Sequence, residues 1–234
     1  MEPKYKRILL KISGESLAGD KRHGFSSSAL AATAKQIATL NKAGVEIGVV
    51  VGGGNFWRGR EGDEMDRTSA DYMGMLATVI NALALSDALD RQGVDNRVMT
   101  ALAIDKIGEP YNVKTAKRYL SEGKVVVFGG GTGSPFFTTD TGASLKACEI
   151  QAEVLLLAKN IDGIYDSDPK TNPNAKKFDT LTYDEYVEKG LRALDTSAVV
   201  MCKENGLKIH AFGNLDENSI VNAVFADSDG TVVY

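Results

Sequence analysis

The chain has 234 residues, 25% of them charged, and a formal net charge of −4 at neutral pH. That length can bury a sizeable core, as one large α/β domain or two small ones. The acidic balance and dispersed Lys and Arg residues give no basic field for nucleic acid, and the two cysteines, Cys148 and Cys202, permit no zinc spacing.

Helical and strand patterns alternate along the chain. Ile8 to Ile12 reads as a first strand, and Ser26-Ser27-Ser28 opens a helix through Ala43, with Leu30, Ile37 and Leu40 at helical spacing and Gly44 as its stop. A strand from Val45 to Val51 leads to a long helix from about Ser69 to Gln92, which Gly93 ends. That helix carries Met73, Met75, Leu76, Val79, Ile80, Leu83, Leu85 and Leu89, more than one core-facing stripe requires. Either it is buried on two sides within one subunit, or one side is an interface.

Short apolar runs recur at Arg97 to Met99, Val125 to Phe128, Val154 to Leu157, Lys208 to Phe212 and Thr231 to Val233. Helical patterns at 112–122, 140–152, 193–205 and 217–226 separate them, with Cys148 and Cys202 reading as small buried hydrophobes. This alternation predicts a three-layer α/β/α sandwich around a mostly parallel sheet. With no linker or repeat, residues 1–234 are expected to form a single domain. Met1 to Arg7 runs directly into a strand without the apolar core of a signal peptide, and no run reads as membrane-spanning, so a soluble cytoplasmic protein with no membrane partner is expected.

Two glycine loops follow predicted strands. Val49-Val50-Val51 enters Gly52-Gly53-Gly54-Asn55, with Arg58 four residues on from Gly54. The run Val125 to Phe128 enters Gly129-Gly130-Gly131-Thr132-Gly133-Ser134-Pro135-Phe136-Phe137-Thr138-Thr139-Asp140. Glycine lets backbone N–H groups approach an anion, and Thr-Thr-Asp suits a helix start aimed at that ligand. Neither loop fits the dinucleotide fingerprint, because its last glycine falls on Trp57 in one and Phe136 in the other. Nor does Gly14 to Gly19 make a P-loop, since Asp20 stands where lysine is needed. Two phosphate-sized sites on one sheet suggest transfer of phosphate between two molecules.

Lys11, leaving the first strand beside Ser13 and Gly14, is placed to meet phosphate as a point charge, although a lysine at a sheet edge also serves as solvated surface. Asp71, early in the long helix, suits sugar hydroxyls and equally suits the helix dipole. In the turn-rich stretch Ile161 to Pro169, Tyr165 could stack on a purine and Asp168 hold a ribose or a metal, but Asp-Gly and Asp-Pro are also ordinary turn formers. His23 and His210 suggest no role.

The ordered set Lys11-Ile12-Ser13-Gly14-Glu15-Ser16, Gly52 to Gly59, Asp71 with Met73 to Thr78, Gly131 to Asp140, and Asp162-Gly163-Ile164-Tyr165 with Asp168-Pro169 resembles the bacterial uridylate kinases of the amino acid kinase superfamily, over essentially the whole chain. The resemblance implies transfer of a phosphoryl group from ATP to UMP, giving ADP and UDP, with Mg²⁺ accompanying ATP. It implies ATP contacts at Lys11, Ile12, Ser13, Gly14, Gly54, Arg58, Asn160, Tyr165 and Asp168. The segment Ala158-Lys159-Asn160-Ile161 varies among relatives, which leaves open whether Lys159 or Asn160 faces ATP. UMP contacts are implied at Gly53, Asp71, Thr132, Gly133, Ser134, Pro135, Phe136, Phe137, Thr138 and Thr139. Catalytic roles are implied for Lys11, Arg58, Asp140 and Asp195, with Asp140 orienting cations.

The same resemblance implies a homohexamer built from dimers on the long helix and a GTP effector site to which Arg97 and Lys124 contribute. Asp20-Lys21-Arg22-His23 is more basic than the loop the family uses in its GTP response. A non-catalytic nucleotide-binding storage or sensor protein of the same fold is the rival reading. A second rival, a kinase acting on a carboxylate or carbamate, is disfavoured by Pro135-Phe136-Phe137.

Overall fold

The computed structural model describes residues 2–21, 23–57, 65–214, 216–226 and 230–234. In chain order these form β1 (Arg7–Ile12), α1 (Gly14–Ala18), α2 (Ser27–Lys42), β2 (Glu46–Val51), α3 (Arg67–Arg91), β3 (Asn96–Thr100), β4 (Glu109–Pro110), α4 (Val113–Ser121), β5 (Val125–Gly129) and α5 (Thr139–Ile150). There follow β6 (Val154–Lys159), β7 (Ile164–Tyr165), β8 (Lys177–Phe178), β9 (Thr180–Leu181), α6 (Tyr183–Glu188), α7 (Thr196–Glu204), β10 (Lys208–Gly213), α8 (Ser219–Phe225) and β11 (Thr231–Val233).

Among the described residues, nine strands make one sheet in the order β4-β3-β5-β2-β1-β6-β10-β11-β9. Neighbours are parallel except β10 and β11, which run antiparallel. The expected three-layer sandwich is what forms, and the alternation of side chains along β1 shows why. Ile8, Leu10 and Ile12 pack into the apolar layer shared with α2, α3 and α8, while Leu9 joins the opposite layer with α4, α5 and α7. Both faces being covered, the central strands are apolar throughout: Val125, Val126 and Val127 are all fully buried.

From β1 the chain places β2 on one side, and much later β6 on the other. Strand order reverses there, and in open α/β sheets the crevice beyond the carboxyl ends at such a point receives ligands. Lys11, the loop after β2 and the loop after β6 all issue into it.

One alternative that the sequence left open is narrowed, and two expectations need revision. The helix α3 is apolar on two sides, but not because it is buried twice. Ala77, Ala82, Leu85 and Leu89 pack inward, whereas Tyr72, Met73, Leu76, Ile80 and Leu83 are between 38% and 47% exposed. With 25 residues and a mean hydropathy of 1.4 over its most apolar window, α3 is long and apolar enough to cross a bilayer, contrary to the expectation that no run would be; half of that window lies buried inside the protein. Cys148 is only half-buried, unlike Cys202, and both are free thiols.

The short elements α1, α6, β4, β7, β8 and β9 were not foreseen, because pieces of two to six residues hold too few side chains to show a period. For α6 there was a signal nonetheless: Thr182 and Glu185 form a reciprocal capping box.

Candidate active site

The register of β1 points Lys11 to the face carrying Leu9, against the start of α5. Its ammonium pairs with Oδ1 of Asp140 at 2.8 Å, with both side chains mostly buried. That carboxylate oxygen accepts no well-aligned hydrogen bond among the described residues, so the Lys11 ammonium is its close partner, with the charge of Lys159 also acting on the carboxylate. Asp140 stands in the first turn of α5, where the helix dipole favours an anion. Thr138 caps the helix by accepting from the backbone N–H groups of Asp140 at 3.1 Å and Thr141 at 3.2 Å.

Asp195 performs the same service for α7, accepting from Ala198 N at 2.8 Å. Its two oxygens also accept from the hydroxyls of Thr138 and of Thr141, the latter at 3.0 Å. Both oxygens thus tie the start of α5 to the start of α7.

Two clefts open on either side of Lys11. The first, of about 440 Å³, is lined by Lys11, Gly53, Asp71, Thr132, Phe137 and Thr138 among others. Its floor is the loop after β2, where α3 approaches so closely that a Cβ on Gly53 would lie 2.8 Å from Gly74 O and 2.9 Å from Ala77 Cβ. Its far wall is the loop after β5, where Gly130, Gly131 and Gly133 take positive φ, as does Phe136 at 72°. Phe136 N donates to Asp71 Oδ2 at 2.8 Å, and Arg67 Nε reaches the same oxygen at 2.8 Å with its guanidinium over the Phe136 ring. Gly133, Pro135 and Phe136 shape the loop, while Thr132, Ser134, Phe137, Thr138 and Thr139 line the cleft.

The second cleft, of about 720 Å³, shares Lys11 and Ser13 with the first and is otherwise lined by Lys159, Asn160, Tyr165, Asp168 and the segment 189–193. Both volumes lie in the ~300–1,000 Å³ range of small-molecule pockets. Tyr165 stands on the β7–β8 hairpin, its hydroxyl donating to Asp162 Oδ1 at 2.7 Å, while Lys177 pairs with the other oxygen at 3.0 Å. The Tyr165 and Lys177 hydrogen bonds hold the Asp162 carboxyl below its usual range, and the bond to Asp162 raises the phenol. Asp168 closes its turn by accepting from Lys170 N at 2.9 Å.

The other expected ATP contacts are scattered differently. Gly14 and Gly54 line the first cleft, and the Ile12 side chain is fully buried in the core, leaving only its backbone near the junction. Arg58 lies outside the described residues. Arg97 and Lys124 meet over the Tyr119 ring, 5.7 and 4.9 Å from its centre, and each also pairs with a carboxylate, Arg97 with Asp95 and Lys124 with Glu122. Neither lines either cleft.

Sequence reasoning missed the parts that hold the loops. Asn81, fully buried in α3, donates to Gly52 O at 2.6 Å and to Asn55 Oδ1 at 2.7 Å, and Asn55 donates to Gly24 O at 2.9 Å. Three residues earlier, the Thr78 hydroxyl accepts from Gly130 N at 2.8 Å. One helix therefore fastens both glycine loops. The available signal was two polar residues at i and i+3 within an otherwise apolar helical stretch.

A mostly parallel sheet with two small-molecule-sized clefts at its switch point, sharing a strand-end lysine paired to a helix-start carboxylate, suits a protein that holds two small anionic ligands side by side. A sequence profile of the amino acid kinase family matches residues 6–213. The chain belongs to that family. Among solved structures it is similar to the UMP kinase from Bacillus anthracis, with 34% identity, 98% of this chain and 96% of that chain covered, and a TM-score of 0.90. It is similar to the UMP kinase from Ureaplasma parvum at 36% identity, 98% and 99% coverage and TM-score 0.93. The uridylate kinase from Archaeoglobus fulgidus is more distant, at 28% identity, 97% and 99% coverage and TM-score 0.75.

Proposed function

We propose that this chain is a UMP kinase, transferring the γ-phosphoryl group of ATP to UMP. What carries the reading is the likeness to two UMP kinases at 34% and 36% identity over nearly the whole of each chain. The two clefts that meet at Lys11 and Ser13 agree with a two-substrate reaction. None of these three neighbours favours the storage or sensor alternative.

UMP occupies the first cleft, with Asp71 on its ribose and Thr132 to Thr139 around it; ATP occupies the second, with Tyr165 and Asp168 on the adenosine side. An oxygen of the UMP phosphate attacks the γ-phosphorus while the bond to the β–γ bridging oxygen breaks, and the electron pair leaves with ADP. The attacking phosphate is ionised at neutral pH, so no side chain need remove a proton. The protein's part is alignment and neutralisation of charge: Lys11 and Arg58 offset the transferred oxygens, and the loop N–H groups fix their positions.

Among the described residues, no three His, Cys, Asp or Glu side chains converge into a metal cage. Asp140, whose Oδ1 is paired with the Lys11 ammonium and accepts no well-aligned hydrogen bond among the described residues, fits a Mg²⁺ ion that arrives mainly on phosphate oxygens. Such an ion would neutralise phosphate charge.

Residues 1–234 act as one catalytic domain in the cytoplasm, where both nucleotides are found. The exposed stripe on α3 pairs two subunits, the dimers assembling into a hexamer, and Arg97 and Lys124 belong to a GTP effector site. An ADP-release assay with a panel of nucleoside monophosphates tests the substrate. UMP should be strongly preferred, since a uracil site mismatched against cytosine loses about 1–3 kcal/mol per unsatisfied buried group. Comparable turnover of CMP or AMP would overturn the specificity.

A further inference from the structure

A helix that lines neither cleft holds the segment that joins them. The capping box at Thr182 and Glu185 starts α6, which carries Tyr183 and Tyr186, three residues apart and both buried. Tyr186 belongs to the same apolar layer as Leu194 and Ala198. Its hydroxyl accepts from Leu194 N at 2.6 Å and donates to Leu194 O at 3.1 Å, so one side chain grips both polar groups of a single backbone residue. Burial pushes this phenol up to about 12, with the Leu194 hydrogen bond opposing the rise and the charge of Asp140 adding to it. The hydroxyl therefore stays protonated at neutral pH and can both donate and accept.

Leu194 stands between two residues that reach the site. On one side, residues 189–193 line the second cleft, and the Ala193 carbonyl accepts from the Lys159 ammonium. On the other, Asp195 caps α7 and accepts from Thr138 and Thr141 at the start of α5, where Asp140 meets Lys11. Tyr186 itself lines neither cleft, so it acts only through the backbone it holds. Tyr183 offers the contrast. Its hydroxyl donates to Leu207 O in the connection from α7 to β10, and neither Tyr183 nor Leu207 lines either cleft.

We propose that Tyr186 is a positioning residue for phosphoryl transfer: by fixing Leu194, its hydroxyl sets Ala193 against the second cleft and Asp195 against the helix start that carries Thr138 and Asp140. This rests on the kinase reading above. Transfer needs the donor and acceptor phosphates aligned across the junction of the clefts, and a displacement of about 1 Å can cost on the order of 100-fold in rate. Leu194 is a point at which walls of both clefts are held together, so loosening it disturbs the alignment while leaving most binding contacts in place.

Steady-state kinetics compare Tyr186→Phe with Tyr183→Phe, each of which keeps the ring and removes one buried hydroxyl from α6, with circular dichroism reporting the fold. Tyr186→Phe should lower kcat about tenfold and leave KM for ATP and UMP within about threefold, while Tyr183→Phe keeps kcat within about twofold of the unsubstituted chain. Normal kcat in folded Tyr186→Phe, or equal losses in the two variants, would overturn the proposal. If Tyr186→Phe fails to fold, Tyr186→4-aminophenylalanine and Tyr183→4-aminophenylalanine take their places. The aromatic amine keeps the donor that Tyr183 uses but accepts poorly, whereas Tyr186 must also accept, so kcat should fall only at position 186. Equal kcat at both positions would sink the idea. Absence of UMP-dependent ADP release by the unsubstituted chain would instead overturn the kinase reading, and this assignment with it.

Discussion

Lys11 leaves β1 on the face that carries Leu9, and that register alone aims it at Asp140 on α5. A one-residue slip would have put it into the layer with Ile8 and Ile12. Because Lys11 is proposed to meet charge that develops during transfer, Lys11→Ala should lower kcat on the order of 100-fold with the fold retained. Asp71 is assigned a different duty, binding the ribose in ground and transition states alike. Asp71→Asn should raise KM for UMP and leave KM for ATP nearly unchanged. Steady-state kinetics with each substrate varied in turn checks both. Near-normal kcat in folded Lys11→Ala, or an Asp71→Asn effect confined to ATP, would show the roles or the clefts to be misassigned.

At the scale of elements, α3 does more than cover the sheet. Its apolar inner side was readable from periodicity, but Thr78 and Asn81 sit on that side as well and tie down the loops after β5 and β2. A buried carbonyl such as Gly52 O needs a donor, and the folded chain brings Asn81 across 29 positions to supply one. Asn81→Ala should therefore destabilise the fold by about 1–3 kcal/mol, since it strands Gly52 O and the Asn55 amide together. Urea unfolding measures it; a midpoint equal to that of the unsubstituted chain would mean that the pair contributes nothing. The helix α5 is held in a comparable way, its Thr138 cap locked by Asp195 from the start of α7.

For the molecule as a whole, the outer stripe of α3 is the feature that a lone subunit leaves unused. Tyr72, Met73, Leu76, Ile80 and Leu83 are exposed along one side of the helix, the kind of apolar surface on which a subunit interface is proposed. The proposed occupant is the same stripe of a second copy. Light scattering at micromolar concentration should find an oligomer, and Leu76→Glu with Ile80→Glu should dissociate it, because unpaired charges in an apolar contact are costly. A stable monomer before substitution would remove the interface, the hexamer and the proposed effector site together.

The sequence by itself determined the order and kind of the long elements, the two glycine loops at strand ends and the family resemblance. Each of these rests on neighbours in the chain: a period of two or 3.6 residues, a cap beside its helix, a glycine after an apolar run. Only the tertiary structure decided which faces those residues share. It paired Lys11 with Asp140, spent Asp195 on Thr138 and Thr141, and set Lys159 against Ala193. It also showed that the second apolar side of α3 is exposed rather than buried. The physical reason is range. Periodicity records that a side chain is apolar or polar, whereas its partner across the sheet depends on crossover order, register and packing between segments more than a hundred residues apart, as with Lys11 and Asp140.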